Sequence, residues 1–119
     1  MATIKSFTDI SQSKVLAEIL PLESADMYYD RGGLPSLIDK YVTHESIKND
    51  KYQHLIPCWS LAALLDILPD RTCVYKKTYK DRRVKYQGIA EGIKELILKD
   101  NPIDVCYEMV IRLNELNLL

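Results

Sequence analysis

The sequence predicts an α+β fold in which three or four helices pack around a small antiparallel sheet, as a single compact domain over residues 1–119. Three observations support it: a strongly apolar segment around the only tryptophan, a β-branched and aromatic stretch over 72–80, and a well-capped amphipathic helix over 101–116. Helices combined with a separate antiparallel hairpin, and no regular alternation of strands and helices, are typical of this class.

The tryptophan segment runs from Trp59 to Leu68, and within it only Ser60 and Asp66 are polar. A helix that is apolar on almost all sides is typical of a buried position. Ser60 suits the N-cap, and Pro69 ends the helix because the residue before a proline is pushed out of the α region. We therefore expect a central core helix, far shorter than the roughly 20 apolar residues of a bilayer span.

The first helix is expected to begin after Ser11, acting as its N-cap, and to end at Pro21. With this cap, Ile10 and Val15 occupy the two positions of a hydrophobic staple. Its apolar face, at helical spacing, consists of Val15, Leu16, Ile19 and Leu20. A short strand is expected at 27–29, closed by a turn at 31–33. For the segment 34–55 we expect only a loop that contains one short strand or one short helix.

The stretch 72–80 is the clearest strand in the sequence. Alternation places Val74, Lys76, Thr78 and Lys80 on one face and Cys73, Tyr75, Lys77 and Tyr79 on the other. A turn at 81–82 leads into a second strand at 83–87 and makes an antiparallel hairpin. A helical period then follows over Ile89, Ala90, Ile93, Leu96 and Ile97, with a strand at 96–98 as the alternative.

The last helix has the best-marked beginning. Asn101 is a good N-cap, Pro102 suits the first helical position, and Asp104 lies near the positive end of the helix dipole. Glu108 and Arg112 form an i,i+4 pair on its polar side. Its expected buried face consists of Cys106, Met109, Val110, Leu113 and Leu116.

Composition and cysteine spacing exclude several classes of site. A net charge of −1 gives no overall attraction to nucleic acid or to an anionic membrane. Cys58, Cys73 and Cys106 form no CxxC and fit no familiar zinc pattern, and His54 with Cys58 lacks a second pair of ligands. The chain start lacks the charged-then-apolar pattern of a signal peptide. We expect a cytoplasmic protein with no cofactor, no metal site and no membrane association.

Three segments carry a resemblance: LAEILP at 16–21, WSLAALLDILP at 59–69 and NPIDVCYEM at 101–109. In this order they resemble a family of small uncharacterised proteins of gut anaerobes and their phages or other mobile elements. No activity is assigned to that family, so the resemblance implies no catalytic or binding residue. It implies a mobile-element origin and a soluble accessory protein.

The charge distribution gives the one candidate site. Residues 70–86 contain seven basic and two acidic residues, a local net charge of +5. A basic hairpin with exposed tyrosines could follow a phosphate backbone and stack bases. The candidate nucleic-acid contacts, within a hairpin at 71–86, are Lys76, Lys77, Lys80, Arg82, Arg83 and Lys85. The alternative is a solvated hairpin whose lysines protect a sheet edge, with Tyr75 and Tyr79 turned to the core.

No pair of a nucleophile or base with an orienting partner is visible, so we expect no catalytic residue and no enzyme. The leading hypothesis is a non-enzymatic accessory protein that acts through protein–protein contacts, with an unknown partner or as a homodimer. Leu116, Leu118 and Leu119 motivate it, because such an apolar tail needs burial within the fold or against a partner. Nucleic-acid binding by the 71–86 hairpin is the alternative hypothesis.

Overall fold

The computed structural model describes residues 5–51 and 54–119, and it has the predicted α+β fold. The described helices are α1 (Ile10–Ile19), α2 (His44–Lys48), α3 (Leu61–Ile67) and α4 (Pro102–Glu115). The described strands are β1 (Met27–Tyr29), β2 (Pro35–Leu37), β3 (Ile56–Cys58), β4 (Cys73–Thr78), β5 (Val84–Ile89) and β6 (Ile97–Lys99). None of the described helices is long and apolar enough to cross a membrane.

The chain divides into two compact units. The first unit is Phe7–Ala63; the second contains Leu64–Leu119 together with Lys5 and Ser6. The boundary falls inside α3, between Ala63 and Leu64. The single domain over 1–119 stays a prediction.

The first unit contains an antiparallel sheet in the order β2-β1-β3, with Tyr28 opposite both Ser36 and Pro57. Each outer strand carries a proline, Pro35 in β2 and Pro57 in β3. Because proline has no amide hydrogen, it blunts an edge strand against pairing with other chains. Strand β1 and the turn after it lie where the sequence predicts them, and 34–55 contributes both a strand and a short helix.

The predicted cap of α1 is wrong by two residues. Asp9, rather than Ser11, is the N-cap: its Oδ1 accepts from Gln12 N at 2.7 Å, and Gln12 Oε1 accepts in return from Asp9 N. With this register the N′ and N4 positions are Thr8 and Ser13. Their hydroxyls share a buried hydrogen bond of 2.8 Å in place of the expected apolar staple.

The helix expected after Ser60 forms as α3, but its expected burial on almost all sides is wrong. The residues directly before Trp59, Ile56–Cys58, form an edge strand. Trp59 is fully buried, but within α3 only Leu64 is, and Leu65 is 43% exposed. The predicted cap is confirmed, because Ser60 Oγ accepts from Ala63 N at 3.2 Å.

The second unit contains an antiparallel sheet in the order β4-β5-β6 with α4 packed on one face. Gly88 makes the close approach of this helix feasible: a Cβ there would lie 2.6 Å from Val105 Cγ1 and 2.8 Å from Met109 Sδ. The helix expected over 89–97 is wrong, and the strand alternative is confirmed by β6. Gly92, at φ +95°, turns the chain between β5 and β6.

Helix α4 begins as predicted, with Asn101 Oδ1 accepting from Asp104 N at 2.9 Å. Glu108 Oε1 also accepts from Arg112 Nε at 3.0 Å. Leu116 was expected on the buried face but is 50% exposed, because it is the C-cap and lies beyond the last full turn. The fully buried side chains of α4 are Ile103, Val105, Cys106, Met109, Val110 and Leu113.

Candidate functional site

The basic hairpin is formed by β4 and β5, which pair from Cys73 opposite Ile89 to Thr78 opposite Val84. Its loop is Lys80–Asp81–Arg82, closed by hydrogen bonds of 2.9 Å from Tyr79 N to Arg83 O and from Arg82 N to Tyr79 O. Arg82 has φ +70°. A three-residue loop that ends in a left-handed residue is a common hairpin connection, so this turn forms without the Asn-Gly or Asp-Gly pair of two-residue loops.

The six candidate cations differ in their ion pairing. Arg83 Nε lies 2.6 Å from Asp81 Oδ2, and Lys85 Nζ pairs with Asp100 Oδ1. The other four have no carboxylate within ion-pair distance among the described residues, and all four side chains are exposed. These four residues, called the free cations below, are Lys76, Lys77, Lys80 and Arg82.

Two cationic side chains, Lys77 and Arg83, lie over the ring of Tyr79. Lys77 Nζ lies 5.5 Å and Arg83 Cζ 5.2 Å from the ring centroid. Both distances are within the range in which the ring quadrupole attracts a cation. These contacts concentrate positive charge near the hairpin loop. They also cover the Tyr79 ring, so it is not open to stacking with a base.

The register decides which face of the second sheet is open to solvent. Residues directly opposite in an antiparallel pair share a face. Gly88 packs directly against α4 and lies opposite Val74 and Ile97, so all three positions face the helix. The other face, called the open face below, carries Cys73, Tyr75, Lys77, Lys85, Gln87, Ile89 and Leu98.

The alternative in which Tyr75 and Tyr79 turn to the core does not hold for Tyr75. Cys73 is exposed and Tyr75 is 41% exposed, because α4 covers the opposite face of the sheet. Tyr79 is half-buried near the loop, and Tyr86 is half-buried on the helix side. Sequence reasoning missed Gln87 and Leu98 as neighbours of Tyr75, since the signal that finds them is the strand β6, which also fits a helical period.

Lys77 and Lys85 lie directly opposite each other in the β4–β5 ladder. Like charges in such a pair repel and destabilise the hairpin. Asp100 offsets part of this repulsion by pairing with Lys85, which leaves Lys77 as the cation available to an external anion.

A buried polar cluster in the first unit surrounds Thr8. Thr8 Oγ1 accepts from Trp59 N at 3.2 Å, and Thr8 O accepts from Tyr29 Oη at 2.6 Å and from Cys58 Sγ at 3.4 Å. Burial raises the pKa of Tyr29 to about 12 and also raises the pKa of the Cys58 thiol. Both groups are therefore neutral near pH 7, and the cluster joins β3 to the start of α1.

One open groove in the first unit lies between α1 and β3, with a volume of about 410 Å³. Its charged lining residues, Lys14 and Glu18, are of opposite sign, so the groove has no net charge to select a ligand. No group of three or more His, Cys, Asp or Glu side chains in the described ranges is placed to hold a metal ion.

Comparison with protein-family models, with curated proteins and with solved structures found no match to this chain.

Proposed function

We propose that this protein is a non-enzymatic nucleic-acid-binding protein that contacts phosphates through the β4–β5 hairpin. The observation that carries the proposal is that one hairpin exposes four free cations, with Lys77 on the open face, Lys76 on the other face, and Lys80 and Arg82 in the loop. Their side chains are not neutralised by carboxylates among the described residues. The resemblance noted above supports a mobile-element origin, and we place the protein in the cytoplasm.

The physical basis is counterion release. Each phosphate that a lysine or arginine neutralises frees condensed cations, so affinity falls linearly with salt on a logarithmic scale. Four contacts to a single strand correspond to a slope of about −3. The net charge of −1 does not oppose this, because over a Debye length of about 8 Å at physiological salt only the local charge acts on the strand.

The test is fluorescence anisotropy of a labelled oligonucleotide, titrated with protein at several salt concentrations. The variant K76Q/K77Q/K80Q/R82Q removes the free cations. A matched control, K14Q/K40Q/K48Q/K94Q, removes the same charge from exposed lysines elsewhere. We expect the hairpin variant to lose most of the affinity and nearly all of the salt dependence, and the control to keep both. Equal losses in the two variants, or no binding by the native protein at low salt, contradict the proposal.

A second candidate function is protein binding, and the free outer edge of β4 favours it. β4 is six residues long, contains no proline and has no strand on its outer side among the described residues. Such an edge offers unpaired backbone groups to an extended segment of another chain. The lysines along β4 favour an acidic segment and oppose pairing with a second β4.

Light scattering and titration with an acidic peptide test this candidate. Salt-sensitive binding of the peptide that Lys76→Pro abolishes and Lys76→Gln retains supports edge pairing, because the Lys76 backbone amide points to the outer edge by strand alternation. If the protein is strictly monomeric and does not bind the peptide, both hypotheses are contradicted: binding of a partner protein through β4 and formation of a homodimer.

A further inference from the structure

We infer that the open face of the second sheet binds the bases of a single strand, with Tyr75 as the stacking side chain and Gln87 as the polar contact to the base edge. The inference rests on the proposed function, because the hairpin cations supply the contacts to the phosphates. The inference adds a specificity to the proposed function: the protein binds a single strand in preference to a duplex.

A row of three side chains crosses the sheet at this level. Tyr75 lies opposite Gln87, and Gln87 lies opposite Leu98, so one residue from each of β4, β5 and β6 points to the same side. Adjacent strands are about 4.8 Å apart, so the row is about 10 Å long. This length accommodates one flat base between an aromatic and an aliphatic side chain, with an amide between them.

Chemical character changes along the open face. Lys77 and Lys85 lie on the loop side of the row, and Cys73 and Ile89 lie on the other side, where Ile89 is 50% exposed. A single strand matches this pattern, because its phosphates carry charge and its bases are flat and apolar. A duplex presents phosphates but keeps its bases stacked inside, and an acidic peptide has no equivalent of the base.

Tyr75 is better suited to stacking than the other tyrosines of the hairpin. The Tyr79 ring is covered by Lys77 and Arg83, and Tyr86 points to the helix side. Tyr75 is 41% exposed, and among the described residues no cation lies over its ring. The amide of Gln87 both donates and accepts, so it can bond to the edge of different bases.

The experiment compares three labelled ligands of equal length: oligo-dT, the same backbone with abasic sites, and a duplex. Each is titrated with the native protein, with Tyr75→Ala and with Tyr75→Phe. Tyr41→Ala is the matched control, because Tyr41 is a 79% exposed tyrosine in the first unit. Thermal unfolding followed by far-UV circular dichroism reports whether each variant is folded, because helices and strands of both units contribute to the signal.

We expect native protein to bind oligo-dT about tenfold more tightly than the abasic strand, as stacking of one base on an aromatic ring supports. Tyr75→Ala should remove this difference and leave affinity for the abasic strand unchanged. Tyr75→Phe and Tyr41→Ala should retain it.

The outcomes separate the two proposals. Equal affinity of the native protein for oligo-dT and the abasic strand, or for oligo-dT and the duplex, overturns the inference and leaves phosphate binding by the hairpin intact. Failure to bind any of the three ligands at low salt overturns the proposed function as well. An acidic peptide that displaces oligo-dT at equal concentration also overturns the inference, because it identifies the occupant as protein.

Discussion

The three cysteines have three different environments. Cys106 is fully buried in α4, and burial raises the pKa of its thiol to about 12. Cys58 is fully buried and hydrogen-bonded to the Thr8 carbonyl, whereas Cys73 is exposed on the open face. The sequence correctly predicts the burial of Cys106, because this residue lies on the apolar face of the last helix. Exposure of Cys73 follows from which sheet face α4 covers, and strand parity alone does not contain that information.

We expect stability to fall as the pH rises above 9. The unfolded Cys106 thiol loses its proton near pH 9 and unfolded Tyr29 near pH 10, but burial holds both pKa values near 12 in the folded protein. The stabilising preference for the neutral forms is therefore complete below pH 9 and is lost between about pH 9 and 12. Each group lowers the free energy of unfolding by at most about 1.4 kcal/mol per pH unit in this window.

Urea denaturation under reducing conditions at pH 8, 9, 10 and 11 measures this effect. The control is Cys106→Ala, which removes one of the groups whose pKa is raised and should give a shallower decline than the native protein. A midpoint that stays constant up to pH 11 contradicts the prediction.

At the scale of elements, the ends of helices and strands are set by single residues. Helix α4 ends in a Schellman motif: Asn117 is left-handed at φ +57°, and its amide and that of Leu118 donate to Asn114 O at 3.1 Å and Leu113 O at 2.8 Å. Leu118 then covers Gly92, the residue that separates β5 from β6. The sequence predicts only that the tail containing Leu118 is apolar. In the structure, part of this tail packs against Gly92, which lies 26 positions earlier.

Gly92→Ala is expected to destabilise the protein by about 2 kcal/mol, because a side chain at φ +95° is strained and its Cβ would clash with Leu118 Cδ1. Thermal unfolding measures the loss. The control is Gly32→Ala, where φ is not in the left-handed region and a Cβ would meet only Asp30 Oδ1 at 3.4 Å. A loss at Gly92 no greater than at Gly32 contradicts the role of Leu118.

At the scale of the whole chain, the sequence predicts the fold class and those elements that have an N-cap or a β-branched run, as at Asn101 and over 72–80. It misplaces elements whose period is ambiguous: 89–97 fits a helix, but Gly92 breaks it and Ile97 pairs in a sheet instead. For the candidate site, the sequence predicts which residues supply the positive charge, because a count of charges over 70–86 finds them. It does not predict the open face, because pairing between strands and the side covered by α4 are non-local.

The prediction of a single domain has a measurable consequence. Helix α3 has only seven residues, and the boundary between the units lies within it. A helix this short does not persist once its packing is lost. We therefore expect Cys58 in the first unit and Cys106 in the second to become reactive together as denaturant increases.

Thiol labelling followed by peptide mapping across a urea series measures this directly. Cys73, which is exposed in the native state, should react without denaturant and provides the internal control. Separate midpoints for Cys58 and Cys106 would show that the units unfold independently and would contradict the single domain.

The pairing of Lys5 with Asp104, at 2.9 Å, joins residues 99 positions apart within the second unit. The first unit is therefore an insertion in the sequence of the second, and all of its residues are synthesised before β4. In the second unit the sheet is synthesised before the helix that covers it, so Gly88 and Ile97 lack their apolar partners until α4 has left the ribosome. The order of translation thus leaves the nascent β4–β6 sheet with an uncovered apolar face, and this sheet is the species most in need of protection from aggregation.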